Sequence, residues 1–255
     1  MLEERGQMSE VRPETEPSLS TPPGWGNDEL SQFLRTAEEN AWATFINLKA
    51  QYDLLLGIHR AYKKAVDNLH NTDNWFPILF LLHAHSAYLG AVRLAMSCQL
   101  PEAYRILRGC IESSLYGLHV HRNPASAEAW LKRHDDSAAL QKAKTEFVIG
   151  PMFTLLESVD LKTAQAAKSL YEQTIDFGGH PNEKAIISNL KISREPGSVR
   201  FDLAYLNADS LALQLCLKTC ARTGVASLRI FRQVFGTRFN LIGLSAEIDS
   251  LSKGL

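Results

Sequence analysis

Nine residues constrain this chain most. Ala41, Phe45, Leu48, Tyr52, Leu55, His59, Tyr62, Val66 and Leu69 alternate steps of four and three. That spacing is the a/d seam of a helix held over four heptads. A strand turns every second residue to the same face and cannot keep such a stripe together. Asn27 or Asp28 stands where a helix cap is preferred, with Glu29 in the first turn. One helix is therefore expected over 28–70, about 60 Å long at ~1.5 Å per residue. Gly57 is the place for a kink. The seam either packs within the chain or carries a homodimer or a partner protein. His59, inside it, reads as a hydrogen-bonded packing histidine.

Residues 1–26, MLEERGQMSEVRPETEPSLSTPPGWG, hold too few apolar side chains to bury, so a disordered tail is expected before a helical domain over 27–255. Helix signals then succeed one another. They cover 75–99, with Pro77 near the start, and 101–122, opened by Pro101. Asn123-Pro124 begins a short helix to about 134, and another spans 137–148. Gly150-Pro151 interrupts, and Asp160 caps a helix to about 175. The run DFGGHPN, 176–182, is a loop, because Gly-Gly and His-Pro both stop helices. In NLKISREPGSVRFDLAYL, β-branched residues flank Arg194-Glu195-Pro196-Gly197, which predicts a hairpin. A long helix over 209–235 and a short terminal one follow. The expected fold is all-α: an irregular multi-helix up-and-down bundle with one small β-hairpin near 190–203.

Composition removes several functions. The 27 Lys and Arg nearly cancel the 28 Asp and Glu, so the whole chain has no pull toward nucleic acid or anionic lipid. No DNA-binding motif is present. The longest apolar run, 75–82, is followed by His83, His85 and Arg93, short of the ~20 uncharged residues of a span, so no membrane segment is expected. Cys98, Cys110, Cys216 and Cys220 lie in apolar stretches without a CxxC pair or a signal peptide. They read as reduced thiols of a cytoplasmic protein. His83 and His85, like His119 and His121, are two apart on a helix and point away from each other. No metal and no cofactor is expected. Lys218, Arg222, Arg229 and Arg232 share a stripe of the last long helix that reads as a solvated face.

One polar constellation exceeds what packing requires. His83, Ser86, Gly90, Arg93 and Ser97 step by three and four along an otherwise oily helix. On the next helix Arg105, Arg108, Glu112, His119 and Arg122 share one side, and Arg108 and Glu112 are spaced for an ion pair. The short connection makes the two helices antiparallel neighbours. Facing polar lines would form a charged seam, either a structural clamp or a site. Arg108 and Glu112, with Arg93, Arg105, His83 and His119 around them, are the candidate residues. In the DFGGHPN loop, Gly178-Gly179 permits close approach of backbone, and Pro181 restricts His180. His180 suits acid–base work, with Asp176 to orient its imidazole.

The run AVRLAMSCQLPEAYRILRGCIESSLYGL, with its Arg108-x3-Glu112 core, resembles bacterial all-helical proteins related to the HEPN superfamily. The later His-Pro loop at His180 is similar to an element of the same group, and the resemblance spans about 75–185. It implies one of two things: a catalytically silent interaction module, or an RNA-binding or metal-independent ribonuclease protein of a bacterial stress or defence system. Active members carry Arg, four to six residues, then His, and that spacing is absent here. The resemblance therefore implies the module first and RNA second. In the second case Arg108 would stabilise developing anionic charge, and His180 or His83 would act as acid or base.

Overall fold

The structure is a computed structural model. It describes residues 21–70, 75–179, 187, 189–195 and 197–255. The chain divides into two compact units, 1–36 and 37–255. In the first, a turn over 23–26 leads into the beginning of α1 (Glu29–Asn47), which from Ala37 onward belongs to the second. Asp28 caps it: one carboxylate oxygen accepts from the Ser31 amide at 2.9 Å, the other from the Ser31 hydroxyl at 2.6 Å. Most of the expected tail, 1–20, lies outside the described residues.

The second unit is the bundle, and among the described residues it is helical apart from one hairpin. After α1 come α2 (Lys49–Asp67), α3 (Phe76–Met96), α4 (Leu100–Arg122), α5 (Ala125–Leu131), α6 (Ser137–Glu146), α7 (Ile149–Val159) and α8 (Leu161–Thr174). A π-turn over Ile175–Gly179 ends α8. Strands β1 (Leu190–Glu195) and β2 (Ser198–Leu203) pair antiparallel, from Leu190 opposite Leu203 to Glu195 opposite Ser198. Gly197 supplies the left-handed residue of their turn, at φ +80°. Then α9 (Ser210–Leu241), bent at Phe235, and α10 (Leu244–Leu251) close the chain. The all-α bundle with its small hairpin follows the sequence pattern.

The first seam behaves differently from its expectation. The helix breaks at Leu48, whose φ of −121° and ψ of 46° leave the helical region. Gly57 sits inside the unbroken α2, where an added Cβ would meet Leu251 Cδ2 at 2.8 Å. Leu55, Tyr62 and Leu69 are buried as the heptad requires. Ile58, Ala61 and Ala65 join them, while His59 and Val66 are only half-buried. The buried stripe has drifted as an ordinary 3.6-residue helix does over a strict heptad. From Leu55 onward the seam packs inside the chain, against α3, α9 and α10. Gly150 and Pro151, expected to interrupt, stand in the first turn of α7, where proline lacks only an unused donor.

Helix α4 organises the core. One side, with Leu107 and Cys110, packs with Tyr62, Leu81, Tyr88 and Phe231 in the larger hydrophobic cluster. The other, Ile111, Leu115 and Leu118, packs on Met152, Phe153, Leu156 and Leu170 of α7 and α8. Gly224 lets α9 close on the first side: a Cβ there would lie 2.7 Å from Ile58 and 2.8 Å from Tyr88. Burial pushes the Cys110 thiol up to about 11. By length and composition α3 is apolar enough to cross a membrane, contrary to the expectation drawn from 75–82. Phe80, Leu81, Ala84, Tyr88, Ala91 and Ala95 of that helix are buried in the bundle core, a pattern that suits a core helix equally.

Candidate functional site

At one end the two polar lines border a common cleft, through His83 and Glu112. Helices α3 and α4 run side by side in the most extensive helix contact of the bundle. His83 Nδ1 lies 2.8 Å from Ser113 Oγ. A Cβ on Gly90 would sit 3.5 Å from Ile106, and the Phe80 and Tyr116 rings are 5.9 Å apart. Ser113 spends its single hydroxyl proton on the Gly109 carbonyl at 2.6 Å. The His83 Nδ1–H must then be the donor of the pair. That assignment also argues against Ser113 as an activated nucleophile.

Beside this pair Arg108 Nε donates to Glu112 Oε1 at 2.8 Å. The Tyr171 hydroxyl, from α8, donates to the same oxygen at 3.1 Å. The Tyr171 ring also lies beneath the guanidinium, whose carbon is 5.2 Å from the ring centroid. Burial works against the Arg108 charge, but the Glu112 hydrogen bond and carboxylate outweigh it and raise the pKa. Burial and the Glu112 charge push the Tyr171 phenol up. Arg108, Glu112 and Tyr171 form one closed knot. Its cation is engaged, not offered.

A cleft of about 280 Å³ opens beside the knot. Leu79, Phe80, His83, Glu112, Tyr116 and Trp130 supply its wall. Three aromatic rings and one aliphatic side chain with an imidazole and a carboxylate suit a flat apolar group bearing one or two donors.

The remaining candidates separate. Arg105 turns to the glycine loop: Nε donates to the Gly178 carbonyl at 2.6 Å, and Nη1 to Glu102 at 3.1 Å. Gly178 is seated against α4 so closely that a Cβ would meet the Pro101 carbonyl oxygen at 2.4 Å. Asp176 is half-buried on the same π-turn. His180, and Pro181 after it, lie outside the described residues. Arg93 is exposed and stands about three helical turns from His83, ~15 Å along α3. His119 serves another junction, donating to Glu146 at 2.9 Å, with Ser126 and Asn123 on the same carboxylate. The Ser126 and His119 hydrogen bonds hold the Glu146 pKa down. That cluster ties α4 to α5 and α6, about two turns beyond Glu112. The rise along α3 and α4 spreads Arg93, Arg105 and His119 beyond the cleft that His83 and Glu112 share.

Tyr171, Tyr116 and Trp130 were not visible as site residues in the sequence, since each comes from a face chosen by packing. A second pair was also hidden. His59 Nδ1 lies 2.9 Å from His85 Nε2, and the Tyr62 ring stacks on His85 at 4.8 Å. Burial, with the His59 and Lys63 charges, lowers the His85 pKa to about 4. Among the described residues no group of three His, Cys, Asp or Glu side chains could hold a metal ion. No protein-family model, curated protein or solved structure matches the chain.

Proposed function

We propose that this chain is a non-enzymatic helical interaction module, as its HEPN-like run implies, and that it pairs with a second copy through the outer face of α3 and α4. One observation carries the reading. Leu79, Leu82, Leu89 and Ile106 are each 39–44% exposed along that face. Ser86, Gly90 and Gly109 add little side-chain bulk to the same two helices. Two such hairpins can interlock about a two-fold axis, each presenting the same surface. An axis at the level of Gly90 and Ile106 would set the exposed apolar side chains of one copy against those of the other. The closed Arg108 knot then stiffens the face. Four buried, free thiols support a reducing, cytoplasmic setting.

The test is the mass in solution. Light scattering after gel filtration should give a dimer, and Leu82→Glu with Leu89→Glu should give a folded monomer. A monomer at every concentration up to ~100 μM, a weak affinity by the standards of specific pairs, would sink the proposal. Loss of the dimer in Trp42→Glu with Ile46→Glu instead would move the interface to α1, where these side chains are 61% and 72% exposed.

A second reading has one observation of its own. His83 borders the same cleft as Glu112, and an acid–base pair of that kind is what RNA cleavage without metal uses. Purified protein that cleaves RNA, with His83→Ala abolishing cleavage at unchanged melting temperature, would favour it. Equal cleavage in Arg108→Ala and His83→Ala preparations would point to a contaminant.

A further inference from the structure

Three helices frame the 280 Å³ cleft beside the Arg108 knot. Helix α3 gives Leu79, Phe80 and His83, α4 gives Gly109, Glu112, Ser113 and Tyr116, and α5 gives Trp130. Phe80 and Ser113 are each 6% exposed and only floor it. Leu79 is 40% exposed, His83 is open to solvent, and Tyr116 and Trp130 are half-buried. A ligand therefore reaches one aliphatic side chain and two ring systems beside the imidazole. These walls are set before anything binds. Trp130 and Tyr116 pack edge to face with Phe80, at 5.5 and 5.9 Å between ring centroids. The Tyr116 hydroxyl donates to the Phe147 carbonyl at 3.3 Å, and Ser113 holds His83 at Nδ1. Walls fixed in advance cost a ligand little ordering.

One polar atom is left over to orient that ligand. The Glu112 side chain is 30% exposed, so solvent reaches it. Its Oε1 accepts from Arg108 at 2.8 Å and from the Tyr171 hydroxyl at 3.1 Å, while Oε2 has no donor among the described residues. A carboxylate oxygen accepts only, and beside an apolar wall it asks for an N–H or O–H. Charge on the ligand is disfavoured in both signs. A cation would meet Arg108, already seated on Glu112, and the Arg133 charge that acts on Tyr116. An anion would face Glu112, and no Lys or Arg lines the cleft among the described residues. Volume sets the size. An apolar cavity of ~150 Å³ admits benzene, so 280 Å³ admits two fused rings.

We propose that this cleft binds a neutral, fused-ring nitrogen heteroaromatic, whose ring N–H donates to Glu112 Oε2 and whose apolar surface lies against Leu79, Tyr116 and Trp130. The site lies within one chain. It does not rest on the pairing proposed for the α3–α4 face, although Leu79 borders both.

Indole is the probe, titrated into the full chain by calorimetry. One saturable site per chain is expected. Benzofuran, the same shape with an oxygen in place of the N–H, should bind at least tenfold more weakly. Glu112→Gln keeps a carbonyl for Arg108 and turns an amide NH2 to the cleft. It should weaken indole about tenfold and leave benzofuran unchanged. Trp130→Ala should weaken both, with circular dichroism unchanged. Tryptamine, which adds an ammonium to the indole ring, should bind no more tightly than indole. Leu82→Glu with Leu89→Glu changes the pairing face but no residue of the cleft, and should bind indole as wild type. The proposal fails if indole shows no saturable binding or if benzofuran binds as tightly. It fails if Glu112→Gln weakens both ligands equally, since shape rather than a hydrogen bond was then lost, or if Trp130→Ala leaves indole binding unchanged. Tighter binding of tryptamine would overturn the neutral ligand. Loss of indole binding in Leu82→Glu with Leu89→Glu would overturn the single-chain site by placing the ligand between two copies.

Discussion

Two helices of this bundle carry arginine stripes, and their surroundings differ. On α4, Arg108 meets Glu112 one turn later and Tyr171 from α8, so charge, hydrogen bonds and ring face all close on it. On α9, Arg222 looks across a cavity at Lys162, and the nearest acids already serve Thr163, Gln233 and Arg232. The α4 stripe seemed functional because it is polar within an oily helix. The α9 stripe seemed a plain solvated face. Spacing along one helix identifies which charges share a side. It does not identify what the neighbouring helix brings to them, and that decides whether a cation is engaged or available.

The sharpest way to break this contrast is to unseat the glycine loop from α4. Gly178→Val places carbon against the Pro101 carbonyl and Tyr104 at separations of 2.4 and 2.8 Å, so the loop must lift and Arg105 must lose its carbonyl acceptor. A loss of about 3 kcal/mol is expected from such overpacking, read by urea denaturation. Wild-type stability in this variant would mean that the loop does not hold the α4 stripe in place.

Next in size is an acid effect at the other closed pair. Burial first, then the His59 and Lys63 charges, lower the His85 pKa from 6.5 to about 4. Between those values the unfolded chain binds more protons than the folded one, so stability falls as pH falls. The contribution is complete above about 6.5 and exhausted near 4. Screening at a half-buried ring reduces the total to about 2 kcal/mol. Unfolding curves across that range should show the slope, and His85→Phe should flatten it. A slope that persists in His85→Phe belongs to another group.

Much of the architecture was legible because helix signals are local. The caps at Asp28 and Asp160, the prolines that open α3 and α4, and the turn at Gly197 all lie within a few residues of what they control. The Arg108–Glu112 pair was legible for the same reason, as was the close approach at Gly178. The break at Leu48 was not, since its neighbours are good helix formers. Tyr171 was invisible as a partner because it stands 59 residues from Glu112. The His59–His85 contact likewise joins positions 26 residues apart. Arg93 and His119 were grouped with the knot by side alone, and the rise of a helix carries them out of reach.

A smaller effect sharpens the comparison from the α4 side. Glu112→Gln keeps the shape but leaves Arg108 facing a neutral amide. The pair's side chains are 28% and 30% exposed, so the loss is expected near 1 kcal/mol rather than the larger cost of a fully buried pair. Raising salt should shrink the difference between wild type and variant. A neutral result at low salt would mean that the Tyr171 ring alone holds the guanidinium.

The smallest effect has the most to say, because its sign is opposite. Arg222→Gln removes a cation that has Lys162 and Arg229 beside it across one cavity and no Asp or Glu side chain in the wall. Like charges at such range repel, and partial exposure keeps the repulsion modest. Removing Arg222 should therefore leave stability within about 0.5 kcal/mol of wild type and shift it, if at all, upward. Glu112→Gln should shift it downward. Measured together at low and at high salt, the two variants should converge on wild type from opposite directions. If Arg222→Gln instead costs as much as Glu112→Gln, the α9 cations are bound into the fold as firmly as Arg108, and the distinction between an engaged arginine and an available one collapses.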